Sequence, residues 1–86
     1  MNDLELENYG EKILDIVSLN VKKYREEKNI TQLQLALAIG HNSSALVAKA
    51  ETNTYNKHFN IEHLYKISKA LDIPVENLFK KIEEKK

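Results

Sequence analysis

Three histidines, His41, His58 and His63, are the side chains in this 86-residue sequence whose ordinary pKa suits acid–base or metal work near neutral pH. Their spacing serves neither task. No two of them stand four apart on one helix, and the chain has no cysteine to complete a zinc set. The serines and aspartates lie in no strand-to-helix elbow, and no glycine-rich loop is present to cradle a phosphate. Catalysis therefore has no candidate, and no metal or other cofactor is called for. What remains is a concentration of amide, hydroxyl and ammonium groups between positions 32 and 58: Gln32, Asn42, Ser43, Ser44, Lys49, Asn53, Tyr55, Asn56 and Lys57. Such groups hold phosphate oxygens and the edges of bases.

The elements that position these residues are helices. With two glycines and one proline in the chain, breakpoints are few, and apolar residues recur at three- and four-residue steps. Ile13, Val17, Val21 and Tyr24 mark one face of a helix running to about Lys28, with Asn29 suited to a left-handed cap. Thr31 caps a short helix over residues 32–39 whose apolar positions are Leu33, Leu35, Ala36 and Ile39, and Gly40 ends it. A polar turn, His41 to Ser44, supplies a second N-cap for a short helix from Ala45 to Thr52. Residues 53–58 read as a surface loop. Asn60 caps a helix facing inward through Ile61, Leu64, Ile67, Ala70 and Leu71. After Asp72, Pro74 opens a last helix carrying Val75, Leu78, Phe79 and Ile82. Two short helices joined by a glycine-led turn form a helix-turn-helix pattern.

Length and charge bound the reading. A chain of this size makes one domain and buries too little surface for a deep cleft. The absence of cysteine fits a reducing compartment, no apolar run is long enough to span a bilayer, and the acidic N-terminus is unlike a secretory signal. A soluble, cytoplasmic protein is expected, with no membrane partner. The net charge is zero, yet residues 1–16 carry a net of −4 and residues 17–58 a net of +3. A positive face is compatible with that distribution, and so are ordinary solvated helix surfaces. The expected organisation is an acidic arm (1–12), one helical domain (13–83) and a frayed tail (84–86).

The segment from Asn20 to Gln32 (NVKKYREEKNITQ), then Leu35-Ala36, Ile39-Gly40, Val47 to Glu51 (VAKAE) and Ile61 to Phe79 (IEHLYKISKALDIPVENLF) resembles, in order, the phage-repressor-like helix-turn-helix family. The resemblance covers roughly residues 17–80. It implies an all-α, five-helix, lambda-repressor-like domain, here with an N-terminal helical extension, and a DNA-binding transcriptional regulator whose third helix enters the major groove. It also implies a DNA contact at Gln32, at the start of the second helix, and a structural part for Glu51.

The family spaces its turn glycine one residue closer to the following helix. Applied here, that spacing would bury Lys49, and a stranded charge in a core is costly. One extra turn residue instead puts Val47 and Ala50 inward. Ser43, Ser44, Ala45, Leu46, Ala48, Lys49 and Thr52 then face outward or partly so. This surface is poor in the Arg, Gln and Asn that make bidentate base contacts. Ala45 and Leu46 suit thymine methyls, and Lys49 suits a guanine or a phosphate, so readout leans on DNA shape and backbone contacts. Leu46 equally suits packing on the protein or a partner. Asn53, Tyr55, Asn56 and Lys57 follow at the groove edge.

Relatives of this kind bind as two-fold dimers, so a homodimer is expected, through Leu78, Phe79 and Ile82 or through Leu4, Leu6 and Tyr9 of the arm. The competing expectation is a protein-interaction module, an anti-repressor, adaptor or antitoxin that keeps the fold with weak base readout.

Overall fold

The computed structural model describes residues 1–82; the tail at 84–86 and the last residue of the expected domain lie outside it. Helix α1 spans Asp3–Glu27, α2 Gln32–Ala38, α3 Ala45–Glu51 and α4 Ile61–Ala70, with 3-10 turns at Thr54–Asn56 and Val75–Phe79. There is no strand among the described residues.

The helix ends follow from local chemistry. Asn29 (φ 57°), Gly40 (φ 92°) and Asp72 (φ 53°) each take the left-handed conformation just past a helix. Each end closes in the same way, with the residue beyond donating its N–H five positions back: Ile30 to Arg25, His41 to Ala36 and Ile73 to Ser68. At the other ends Thr31 and Asn60 form reciprocal capping boxes, Thr31 with Gln34 and Asn60 with His63. Each box fixes where its helix begins. Ser44, expected as the N-cap of α3, has a helical backbone and makes no side-chain capping bond. The neighbouring Ser43 hydroxyl accepts from the Ala45 N–H at a long 3.4 Å instead.

The core gathers Val17 and Val21 of α1, Leu35 and Ala36 of α2, Ile39, Val47 and Ala50 of α3, Phe59, Leu64 and Ile67 of α4, Leu71 and Leu78. Two residues expected on the inward face of α4 are not there. Ile61 begins the helix where nothing covers it and is 87% exposed, and Ala70 is also exposed. Leu33 of α2 likewise points to solvent.

The expected arm at 1–12 is helical, fused to the domain helix in one run of 25 residues, with Asn2 Oδ1 capping it through the Glu5 N–H at 2.8 Å. The expected fifth helix is a five-residue 3-10 turn. Its shortening has a cause on α1: buried Asn20 donates from Nδ2 to the carbonyls of both Leu78 (2.9 Å) and Lys80 (2.7 Å). Those carbonyls are drawn sideways, and the backbone turns extended at Lys80. Leu78, expected on a dimer surface, is fully buried, which removes it from that role.

Candidate nucleic-acid interface

Helix α3 is held from three sides. Val47 and Ala50 are fully buried, as the longer turn requires, while Ala48 and Lys49 are half-buried and Ala45 and Thr52 exposed. Its last residue, Glu51, is buried and accepts two hydrogen bonds from Arg25 of α1, from Nε to Oε2 at 2.7 Å and from Nη2 to Oε1 at 3.0 Å. Arg25 Nη1 also donates to the Ile30 carbonyl at 2.9 Å, so one guanidinium joins α1, the α1–α2 connection and α3. The carboxylate bonded to it raises the Arg25 pKa above its ordinary value, against the effect of burial.

Gln32, the first residue of α2, donates from Nε2 to Glu51 Oε1 at 3.1 Å. Its amide therefore braces α3 from the N-terminus of α2, a position where free backbone N–H groups favour an anion. The clamp was legible in part. Arg25 continues the inward step Val17, Val21 on α1, and Glu51 is the only acidic residue between positions 28 and 61. A cation on a core stripe with one acid in reach identifies the pair.

Asn42 and Ser43 are exposed in the turn, and Ser44 is half-buried. Leu46 is half-buried and packs against the core. The Lys49 ammonium lies 5.7 Å from the centre of the Tyr55 ring, which brings α3 and the following loop together. Thr52 is turned back on the chain, its hydroxyl 3.1 Å from the Ala48 carbonyl and 2.6 Å from Thr54 Oγ1. Tyr55, 80% exposed, Asn56 and Lys57 project from the loop.

Asn53 differs from its loop neighbours. Half-buried and left-handed (φ 53°), it donates to Asp15 Oδ1 of α1 at 2.6 Å, while its own Oδ1 lies 2.9 Å from the Ser18 hydroxyl and 3.3 Å from His58 Nδ1. It anchors the loop to α1. Tyr55 (φ 55°) and Asn56 (φ 55°) are left-handed as well, a conformation that costs a side-chain-bearing residue about 1–2 kcal/mol.

The turn before α3 is tied to α4 by a contact with no sequence signal: His41 Nε2 and His63 Nε2 are 3.2 Å apart. His63 Nδ1 accepts from the Asn60 N–H at 3.2 Å. The neutral His63 ring therefore carries its proton on Nε2 and donates it to His41. Burial, and then the neighbouring His41, lowers the His63 pKa below its ordinary value.

Among the described residues no three metal-ligating side chains cluster, and no helix is long and apolar enough to cross a membrane. Comparison with curated proteins and with solved structures returns no match. The family described as Helix-turn-helix does match, over residues 21–78, from the last two turns of α1 into the last 3-10 turn. With more than half its length so matched, the chain belongs to the helix-turn-helix family of DNA-binding regulators.

Proposed function

We propose that this protein is a cytoplasmic, sequence-specific regulator of transcription, a repressor that binds double-stranded DNA as a homodimer and lays α3 in the major groove. The observation that carries the reading is the fixed register of α3. With Val47 and Ala50 in the core and Glu51 clamped by Arg25 and Gln32, the helix cannot roll. Ala45, Ala48 and Lys49 form the outward strip presented to the groove, with Leu46 at its inner edge.

The remaining proposed contacts surround that strip. Asn42, Ser43 and Ser44 approach the backbone from the turn, and Tyr55, Asn56 and Lys57 from the loop, while Gln32 offers its amide beside the start of α2. Asn53 serves by anchoring the loop. Because this strip offers one cation and no bidentate amide or guanidinium, discrimination rests on methyl contacts, groove shape and phosphate positions.

A second reading has its own support. Leu33 and Leu37 stand four residues apart on α2 and are both exposed, a face suited to a protein partner of an adaptor or antitoxin. Selection of duplex DNA from a random pool, followed by fluorescence anisotropy at low and near-physiological salt, separates the two. Saturable binding that resists salt and unselected competitor is expected; enrichment of no sequence would refute base reading and favour the partner.

A further inference from the structure

The first twenty residues lie outside the stretch matched to the family, and the part of α1 within them has a pattern of its own. Asn2, Leu6, Tyr9, Ile13, Ile16 and Asn20 follow one another at alternating steps of four and three, a seven-residue repeat that continues into the domain. Asn20 and Ile13 meet the domain. Leu6 and Tyr9, 55% and 59% exposed, continue the face with nothing upon them.

Gly10 borders that stripe inside the helix. A glycine there weakens a helix relative to alanine. Its φ is not positive, and a Cβ added to it would meet nothing within 4 Å. Neither conformation nor packing within one molecule calls for it.

The charges select the partner. Glu5 and Lys12, seven residues apart, flank the stripe on one side, and Lys12 is the only basic side chain in the first sixteen residues. Its ammonium lies 5.8 Å from the Tyr9 ring centre, and Glu5, Asn8, Tyr9 and Lys12 line one shallow groove. Glu7, Glu11 and Asp15 fall on the far side of the helix. Two such helices laid antiparallel, with Leu6 of each against Tyr9 of the other, set Glu5 of each copy opposite Lys12 of the other. A parallel pair gives Glu5 no cation and aligns the acidic residues.

We propose that residues 3–12 of α1 are the self-association surface of this protein, forming an antiparallel two-fold helix pair with a second copy. Leu6 and Tyr9 pack across the axis, Gly10 admits the partner's backbone, and Glu5 and Lys12 pair reciprocally. This deepens the homodimer proposed above but draws only on α1. With Leu6 opposite Tyr9, residues 3–12 of each helix overlap over about 15 Å, which places the pair in the small-interface, weak class.

The test is sedimentation equilibrium of the full chain without DNA, from micromolar to millimolar concentration, so that its failure is distinguishable from a failure to bind DNA. Glu5→Lys and Lys12→Glu, each placing like charges across the axis, should each weaken self-association about tenfold. Mixing the two variants should restore a dimer, now a heterodimer, as should combining both changes in one chain. Circular dichroism checks that each variant keeps its helices. A wild type that stays monomeric at millimolar concentration overturns the proposal. So does a dimer indifferent to both reversals, or one that neither the mixture nor the double variant restores.

Discussion

Removing the carboxylate of Glu51 is the most demanding test of how α3 is held. In Glu51→Ala the Arg25 guanidinium keeps the Ile30 carbonyl and loses both bonds to the acid, at 2.7 and 3.0 Å. Both side chains of the pair are close to fully buried, so solvent cannot take over the lost interaction. Breaking a buried pair from one side costs about 3–5 kcal/mol, set against about 4–13 kcal/mol of total stability for a chain of this length. At roughly 4–8 °C per kcal/mol for a domain of this size, the melting temperature should fall by at least about 12 °C. Replacing both partners, Arg25→Met with Glu51→Leu, leaves no orphaned charge and should recover most of the loss. Thermal and urea unfolding of the two single variants and the double, read as a cycle, measures the coupling. A cost below about 1 kcal/mol for Glu51→Ala would mean that the pair behaves like a surface ion pair, and the account of α3 as a clamped helix would be wrong.

Other expectations are as direct. The register of α3 predicts that Ala50→Leu, which overfills the core, costs about 1–3 kcal/mol, whereas Ala48→Leu stays within about 0.5 kcal/mol; equal effects by urea unfolding would show the helix is rolled. Acid should weaken the fold through His63. Its folded pKa lies below the ordinary 6.5, so the unfolded chain takes up the proton first. Stability is therefore highest above pH 6.5 and falls as pH drops toward the depressed value. His63→Gln keeps an acceptor for the capping box and should remove that slope, and urea midpoints that decline equally in both proteins would discount the histidine pair. With selected duplex DNA, Lys57→Ala should weaken binding and reduce the salt slope by about one counterion, while Gln32→Ala should weaken binding and also loosen α3; anisotropy unchanged for both would dismiss the proposed face.

The parts of the fold that the sequence displays are those decided locally. Asn29, Gly40 and Asp72 end helices because each tolerates a positive φ, and Thr31 and Asn60 begin them through bonds to a residue three positions on. The register of α3 was legible because burying Lys49 was the alternative. What escaped depends on residues distant in the chain. Asn20 reads as an ordinary helix residue until the carbonyls of Leu78 and Lys80 arrive beside it. Asn53 reads as one more polar loop residue, and only the approach of Asp15 and Ser18 makes it an anchor. Ile61 has the right period for the core, but periodicity does not say where the neighbouring elements stop. The turn serines were expected to cap α3, yet burial of Val47 and Ala50 fixes that helix without them.

Because α1 is one unbroken helix from Asp3 to Glu27, arm and domain share a rotational phase. Each residue of an α-helix advances the chain by about 1.5 Å and about 100°. A single residue inserted just after Gly10 would swing the Leu6 and Tyr9 face about a quarter turn around the domain and leave the contacts of Ile13, Asp15 and Ser18 in place. Seven inserted residues would return the face almost to its starting direction, about 10 Å farther out. Whatever meets the arm is thus geared to the orientation of the helix-turn-helix by residue count alone.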